Sequence, residues 1–401
     1  MKFFRTIACF LLLAALHPGL RAQELLAVPE ERDFTGTEII ETLYDSFGFV
    51  FEKYGVPRKL DRIAPLLDDL HAAVLLYRTV DPTGKPVTAS GLVVWPQHRH
   101  IQGVIEISPI TKPLSSCGSS KVLMPEDIPA GFGYAILIPD MIGYGSTEGE
   151  PVTFLINDAT ARVAADLRKA AETYFRTYRS RALPRSSIIA GYSIGATSAL
   201  ALARFYHLHP EYNVHPKALF IGGGMYDART AVESYSRSGR MDYFLIPSLA
   251  WAFDQYFHLG LDFSKIFTGE VLADFERVHT LRDDPLKLAE RYGSDLHGYM
   301  HPDFFTPERN DDLNRLLEAM DSQTLIYDGI RRDLDRKTDI FIFHSAQDQI
   351  VPVECADALY RRLYSPFRNT HYLRSPRESH HSEGILFLTE VLAYLLINPL
   401  I

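Results

Sequence analysis

Gly191-Tyr192-Ser193-Ile194-Gly195 sets a serine between two glycines, directly after the apolar run Ile188-Ile189-Ala190 and directly before the helical run Ala196 to Tyr206. A strand, a sharp turn and a helix in that order lift a hydroxyl out of the backbone at a helix N-terminus. Glycines two residues to either side leave room for a strained turn and for close helix–strand packing. The chemistry such a serine can do is nucleophilic attack. It needs a base, because the hydroxyl is a weak nucleophile until its proton is taken.

Candidates for the base lie in Glu378-Ser379-His380-His381-Ser382-Glu383-Gly384, just before the last apolar run. His381 is the expected base, since Gly384 three residues on would let the final helix begin close beneath the site; His380 is the alternative. Asp348 is the expected acid. It sits in the loop 345–352 that follows the strand-like run Asp339 to His344, and functional groups in a parallel sheet collect beyond the carboxyl ends of the strands. From there a carboxylate can orient an imidazole and stabilise its cation. The plainer reading is a loop aspartate, or a cap for the helix beginning near Val353. Asp339 is at the wrong end of its strand, and Glu354 and Asp357 fall in the following helix. The histidines His98 and His100 flank an arginine in a surface-like loop, while His207 and His209 end a helix, where a cation suits the dipole.

Acyl transfer also needs donors for the developing oxyanion. The backbone N–H of Ile194 is one. The second is expected in Ser108-Pro109-Ile110-Thr111, after the strand Gly103 to Ile107. Pro109 has no N–H, so Thr111 is the choice, with Ile110 behind it. The sequence has neither H-E-x-x-H nor C-x-x-C, so nothing calls for a metal, and no cofactor is implied.

The elements that must hold these groups alternate. A helix is expected from about Thr37 to Tyr54, strands over Ala73–Thr79 and Ser90–Trp95 joined by the Asp81-Pro82-Thr83-Gly84 turn, then strands over Gly103–Ile107 and Tyr134–Ile138. A long amphipathic helix covers Asn157 to Tyr178. After the serine's strand and helix comes a strand over Ala218–Gly222, and Glu383 to Ile397 closes the chain as an apolar helix. This order predicts an α/β fold with a mostly parallel central sheet and helices on both faces. Between about 226 and 336 the strand signal gives way to helical periodicity with many aromatics, among them Tyr235, Tyr243, Phe244, Trp251, Phe253, Tyr256, Phe257, Phe263 and Phe267. A helical cap insertion is expected there. Its aromatics either form a lid that binds an apolar acyl chain or simply make the cap's own core.

Lys2 and Arg5 precede the unbroken apolar run Ile7 to Leu16, and Ala22 offers a small residue for cleavage. Residues 1–22 therefore read as a secretory signal, too short to span a bilayer, followed by one catalytic domain over 23–401. The expected location is secreted or periplasmic. The chain of 401 residues carries a net charge of −9; a leader with Lys2, Arg5 and Arg21 and no acid leaves −12 on removal. That balance argues against nucleic acid or an anionic membrane surface as partner, and no later run predicts a transmembrane segment. Cys117 and Cys355 remain, to be paired or to stay as buried thiols.

Pro139-Asp140 with Gly143-Tyr144-Gly145-Ser146, the elbow Gly191 to Gly195, and the Asp348 and His381 loops together resemble the α/β-hydrolase superfamily. Within it the chain, over about Ala73 to Ile397, most resembles the secretory lipases. The resemblance implies a serine esterase acting on a small-molecule or lipid ester, with Ser193, Asp348 and His381 as the triad. Many relatives carry His-Gly in the oxyanion loop where this chain has Ser108-Pro109-Ile110-Thr111. Two other readings stand beside it. A serine peptidase of the prolyl-oligopeptidase type shares the fold and residue order, though it commonly carries a propeller this chain is too short to hold. A non-catalytic binding protein on the same fold usually lacks a triad member.

Overall fold

Among the described residues nine strands build one sheet in the order β1-β2-β3-β5-β4-β6-β7-β8-β9. In chain order they are β1 (Leu25–Phe34), β2 (Leu70–Val80), β3 (Pro86–Pro96), β4 (Gly103–Ser108), β5 (Tyr134–Pro139), β6 (Ser186–Tyr192), β7 (His215–Gly222), β8 (Asp339–Ser345) and β9 (Thr370–Ser375). The computed structural model describes residues 24–53, 64–111, 118, 125–377 and 379–398. The expected leader, 1–22, and Cys117 lie outside them; Cys355 is buried.

From β5 through β9 neighbouring strands run parallel, and β1, β2 and β3 add on antiparallel. All six residues of β4 and all six of β5 are buried. Strands covered on both faces need apolar residues at every position, which is why GVIEIS and YAILIP read as unbroken runs. Successive residues still serve opposite faces. Val104 packs toward the helices α2 (Asn157–Tyr178) and α3 (Ile194–Leu208), while Ile105 packs on the other side with α1 (Gly36–Lys53) and the last helix, α11 (His380–Ile397).

Two strands were not expected from the sequence. β1 (LLAVPEERDF) and β9 (THYLRS) are the sheet's two edges, and most of their residues face water at least in part. An edge strand buries too little to need an apolar run, and charges discourage pairing with another chain. The antiparallel ladder of β1 on β2 is therefore legible only once β2 is in place.

Between β7 and β8 the chain adds no strand to the sheet. It folds into α4 (Ala228–Ser238), α5 (Ile246–Phe257), α6 (Gly269–Ala273), α7 (Phe275–Val278), α8 (Pro285–Tyr292) and α9 (Asp311–Asp321); α10 (Glu354–Leu363) follows β8. The aromatics of this stretch pack on one another. Phe263 stacks on Phe275 at 4.2 Å, Phe253 on Phe257 at 5.2 Å and Phe244 on Tyr292 at 5.1 Å. Among the described residues no helix is long and apolar enough to cross a membrane.

One buried charge cluster ties the sheet to its helices. Arg168 of α2 is fully buried, with Nη1 3.7 Å from Glu106 of β4 and Nε 3.1 Å from Glu172; it also donates to the Pro184 carbonyl. Tyr206 of α3 donates its hydroxyl to Glu106, whose pKa burial pushes up. Removing one partner of a buried pair leaves the other charge in low dielectric, at about 3–5 kcal/mol. Arg168→Met is therefore expected to lower stability by about that much, read as the midpoint of urea unfolding. Glu106→Gln in the same chain should recover part of the loss; no recovery would mean that packing, not charge, set the cost.

Candidate active site

Ser193 stands at the apex between β6 and α3 with φ 56° and ψ −128°, a conformation that costs a non-glycine residue energy. Its surroundings hold it there. The Ser193 N–H donates to the Gly222 carbonyl at 2.8 Å, and its own carbonyl accepts from the Ala196 N–H at 3.0 Å. The flanking glycines are required by contact. A Cβ at Gly191 would sit 2.1 Å from the Gly195 carbonyl oxygen, and one at Gly195 would sit 2.2 Å from the Ser108 carbonyl oxygen. The elbow is thus pressed directly against the end of β4, whose following loop carries Ile110 and Thr111.

Asp348 lies in the loop after β8, as expected, with its carboxylate fully buried. Oδ1 accepts from the backbone N–H groups of Ile350 at 2.9 Å and Val351 at 2.8 Å. Oδ2 meets His380 Nδ1 at 2.6 Å and His344 Nε2 at 3.4 Å. Burial pushes the carboxyl pKa up, but the charge of His380 and the hydrogen bonds of His344 and His380 outweigh it and hold the group well below the usual carboxylate range. An ionised Asp348 accepts from the His380 Nδ1–H and so leaves Nε2 as the ring nitrogen free to accept a proton. Nε2 is buried and has no hydrogen-bond partner among the described residues.

The imidazole on Asp348 is therefore His380, where His381 was expected. The difference follows from where α11 begins. The Ser379 hydroxyl accepts from the Ser382 N–H, and the Ser382 side chain answers to the Ser379 N–H, a reciprocal cap that makes His380 the first helical residue. Neighbours on a helix point about 100° apart, so only one of the two histidines can face Asp348. His380 is buried and His381 half-buried on the wall of the same cavity. Gly384, used in the sequence argument for His381, instead packs beneath Tyr192, where an added Cβ would meet the ring at 3.1 Å. Tyr192 holds this imidazole from the other side, with its ring 5.0 Å from that of His380 and its hydroxyl donating to the His380 carbonyl.

A cavity of about 230 Å³ joins Ser193 to His380, with His381, Thr111 and Ile110 on its wall beside them. Ile194 is the first residue of α3, so its N–H has no carbonyl to meet inside the helix. Thr111 makes a polar contact with Tyr243 of the insertion, which lines the cavity too. His344, not expected at the site from the sequence, also reaches Asp348. It is fully buried, at the end of β8, with Nε2 also 2.9 Å from the Val351 carbonyl. Its place four residues before Asp348 was the available signal.

No family model matches the chain, and no curated protein is similar to it in sequence. Solved structures are similar in fold. The rice cell wall degrading esterase LipA from Xanthomonas oryzae superposes with a TM-score of 0.74 at 17% identity, covering 93% of this chain and 97% of that one. Candida antarctica lipase A in its closed state superposes with a TM-score of 0.58 at 14% identity, covering 92% of this chain and 81% of the other. The chain has the α/β-hydrolase fold.

The environment of Asp348 sets a pH signature. Its folded pKa lies below the unfolded value of about 3.9, so its contribution to stability is present above about pH 4 and is lost as pH falls through the lower, folded value. Asp348→Asn is expected to melt roughly 5 °C or more below wild type at pH 7, with the gap closing as pH falls toward 2. Thermal scans across that range decide it, and a gap that stays constant would show that the carboxylate's charge is not what stabilises the loop.

Proposed function

We propose that this protein is a serine hydrolase of carboxylic esters, of lipase or carboxylesterase type, with Ser193 as nucleophile, His380 as base and Asp348 as the acid that orients it. The observation that carries the reading is the pairing of a strained elbow serine with a buried Asp348–His380 couple on one cavity. The fold it shares with named esterases and lipases fits this chemistry. A leader over residues 1–22 would export the enzyme, as would suit an activity like that named for the Xanthomonas esterase.

His380 Nε2 takes the Ser193 proton as Oγ attacks the ester carbonyl. The N–H groups of Ile194 and Thr111 receive the developing oxyanion, a contribution that commonly amounts to about 3–4 kcal/mol for a single donor. Collapse of the tetrahedral intermediate expels the alcohol, which carries off the proton from Nε2 and leaves an acyl-serine. Water then gives a proton to Nε2, attacks the acyl carbon and releases the carboxylic acid, restoring Ser193. Asp348 stays ionised throughout and stabilises the imidazolium.

Turnover of p-nitrophenyl esters by the purified chain tests the assignment. Ser193→Ala and His380→Ala should each lose about 10⁴-fold or more in kcat, whereas His381→Ala should lose less than about tenfold. A collapse on changing His381 with little effect from His380 would return the base to the neighbouring residue. Full activity in Ser193→Ala would remove the serine mechanism altogether.

A further inference from the structure

The cavity at Ser193 does not lead into the helical insertion. From the reacting end it runs down the opposite face of the sheet, between Ile105 and Ile107 of β4, Ala190 of β6, and the side of α11 that carries Leu388, Val391 and Leu392. Tyr243 is the insertion's contribution to its wall among the described residues. The insertion's own cavity, about 50 Å³ and bounded by residues such as Met225, Leu249, Leu317 and Met320, is a separate space with no catalytic residue on it.

We propose that an unbranched acyl chain of the ester lies in this groove, so that α11 supplies the base at its first residue and the acyl wall along its length. The inference rests on the ester-hydrolase reading and adds where the chain goes and what kind of chain fits. Three observations carry it. The groove is continuous with Ser193 and His380, so whatever occupies it is joined to the group under attack. Among the described residues its deeper walls are apolar, with Glu126 the charged residue along them. And α11 is apolar on nearly every side, yet its fully buried apolar residues are the single stripe Phe387, Val391 and Leu395, which leaves Ile385, Leu388 and Leu392 only half covered. Apolar side chains held half-covered along a groove gain when an alkyl chain displaces water from them.

Length follows from the helix. His380 and Leu392 are twelve residues apart, and at 1.5 Å per residue the groove extends for about 18 Å. With carbon–carbon single bonds of about 1.5 Å at tetrahedral angles, an extended zigzag chain advances only about 1.25 Å per carbon, so roughly fourteen carbons cover that distance. The substrate class is thus esters of medium to long straight-chain acids, and acetate esters would leave most of the groove unfilled.

The test compares p-nitrophenyl acetate with p-nitrophenyl dodecanoate on the whole chain, for wild type, Leu388→Trp, Leu392→Trp and, in the insertion's cavity, Leu317→Phe. The ratio of dodecanoate to acetate kcat/KM is expected to fall about tenfold or more in both tryptophan variants and to stay near wild type in Leu317→Phe. A second readout uses Leu388→Cys: labelling Ser193 with a dodecyl fluorophosphonate should protect the introduced thiol from a maleimide, and a methyl analogue should not. Unchanged ratios in the tryptophan variants together with an unprotected thiol would overturn the groove while leaving the hydrolase intact. A wild type that turns over neither ester and takes no phosphonate on Ser193 would overturn both.

Discussion

The backbone of one residue constrains the rest of the site. Ser193 is held at φ 56°, ψ −128°, where a side-chain-bearing residue pays of order 1–3 kcal/mol. It persists because β4, β6, β7 and α3 leave it no alternative. Gly222 at the end of β7 receives its N–H, and the end of β4 lies against Gly195 closely enough that even a methyl group would collide with the Ser108 carbonyl. The parallel order β4-β6-β7 is what brings those two strand ends to either side of the elbow. A change in that order would release the serine and separate it from the loop that carries Thr111.

The second constraint is the start of α11. A reciprocal serine cap determines which histidine is the first helical residue, and the same helix then lies along the sheet face beside the cavity. The imidazole on Asp348 and the cavity wall are thereby one rigid body. Asp348 is fixed just as firmly by two backbone donors and two imidazoles, and its carboxylate has no exposure through which water could compete. Side chains placed on element termini with their partners buried are preorganised, which is what the proposed ester hydrolysis requires of them.

The alternation of apolar runs with helical patterns was readable residue by residue where strands are buried on both faces, as in Gly103–Ser108 and Tyr134–Pro139. α2 matched its expected span, Asn157 to Tyr178. The edge strands were not readable. Leu25–Phe34 and Thr370–Ser375 have the composition of loops because water, not protein, covers much of them. The aromatics of the insertion were readable as helical and apolar but not as lid or core; stacking puts Phe253, Phe257 and Phe263 in the insertion's own packing, while Tyr243 lines the cavity at Ser193.

Local chemistry was enough to place Ser193 on an elbow and Asp348 on a loop after a strand, because each depends on its immediate neighbours: glycines that permit close approach, and a strand that ends where a carboxylate is wanted. The choice between His380 and His381 could not be made that way. It turns on the direction of two adjacent side chains around a helix axis, and that direction is set by a cap at Ser379, by the ring of Tyr192 from a distant strand, and by Asp348 thirty-two residues earlier in the chain. The course of the cavity was equally hidden, since its two walls come from β4 and α11, far apart in sequence and brought together only when the sheet and the last helix pack. Short-range pattern specifies which residue types can react; which atoms meet is decided by contacts between segments that the pattern does not relate.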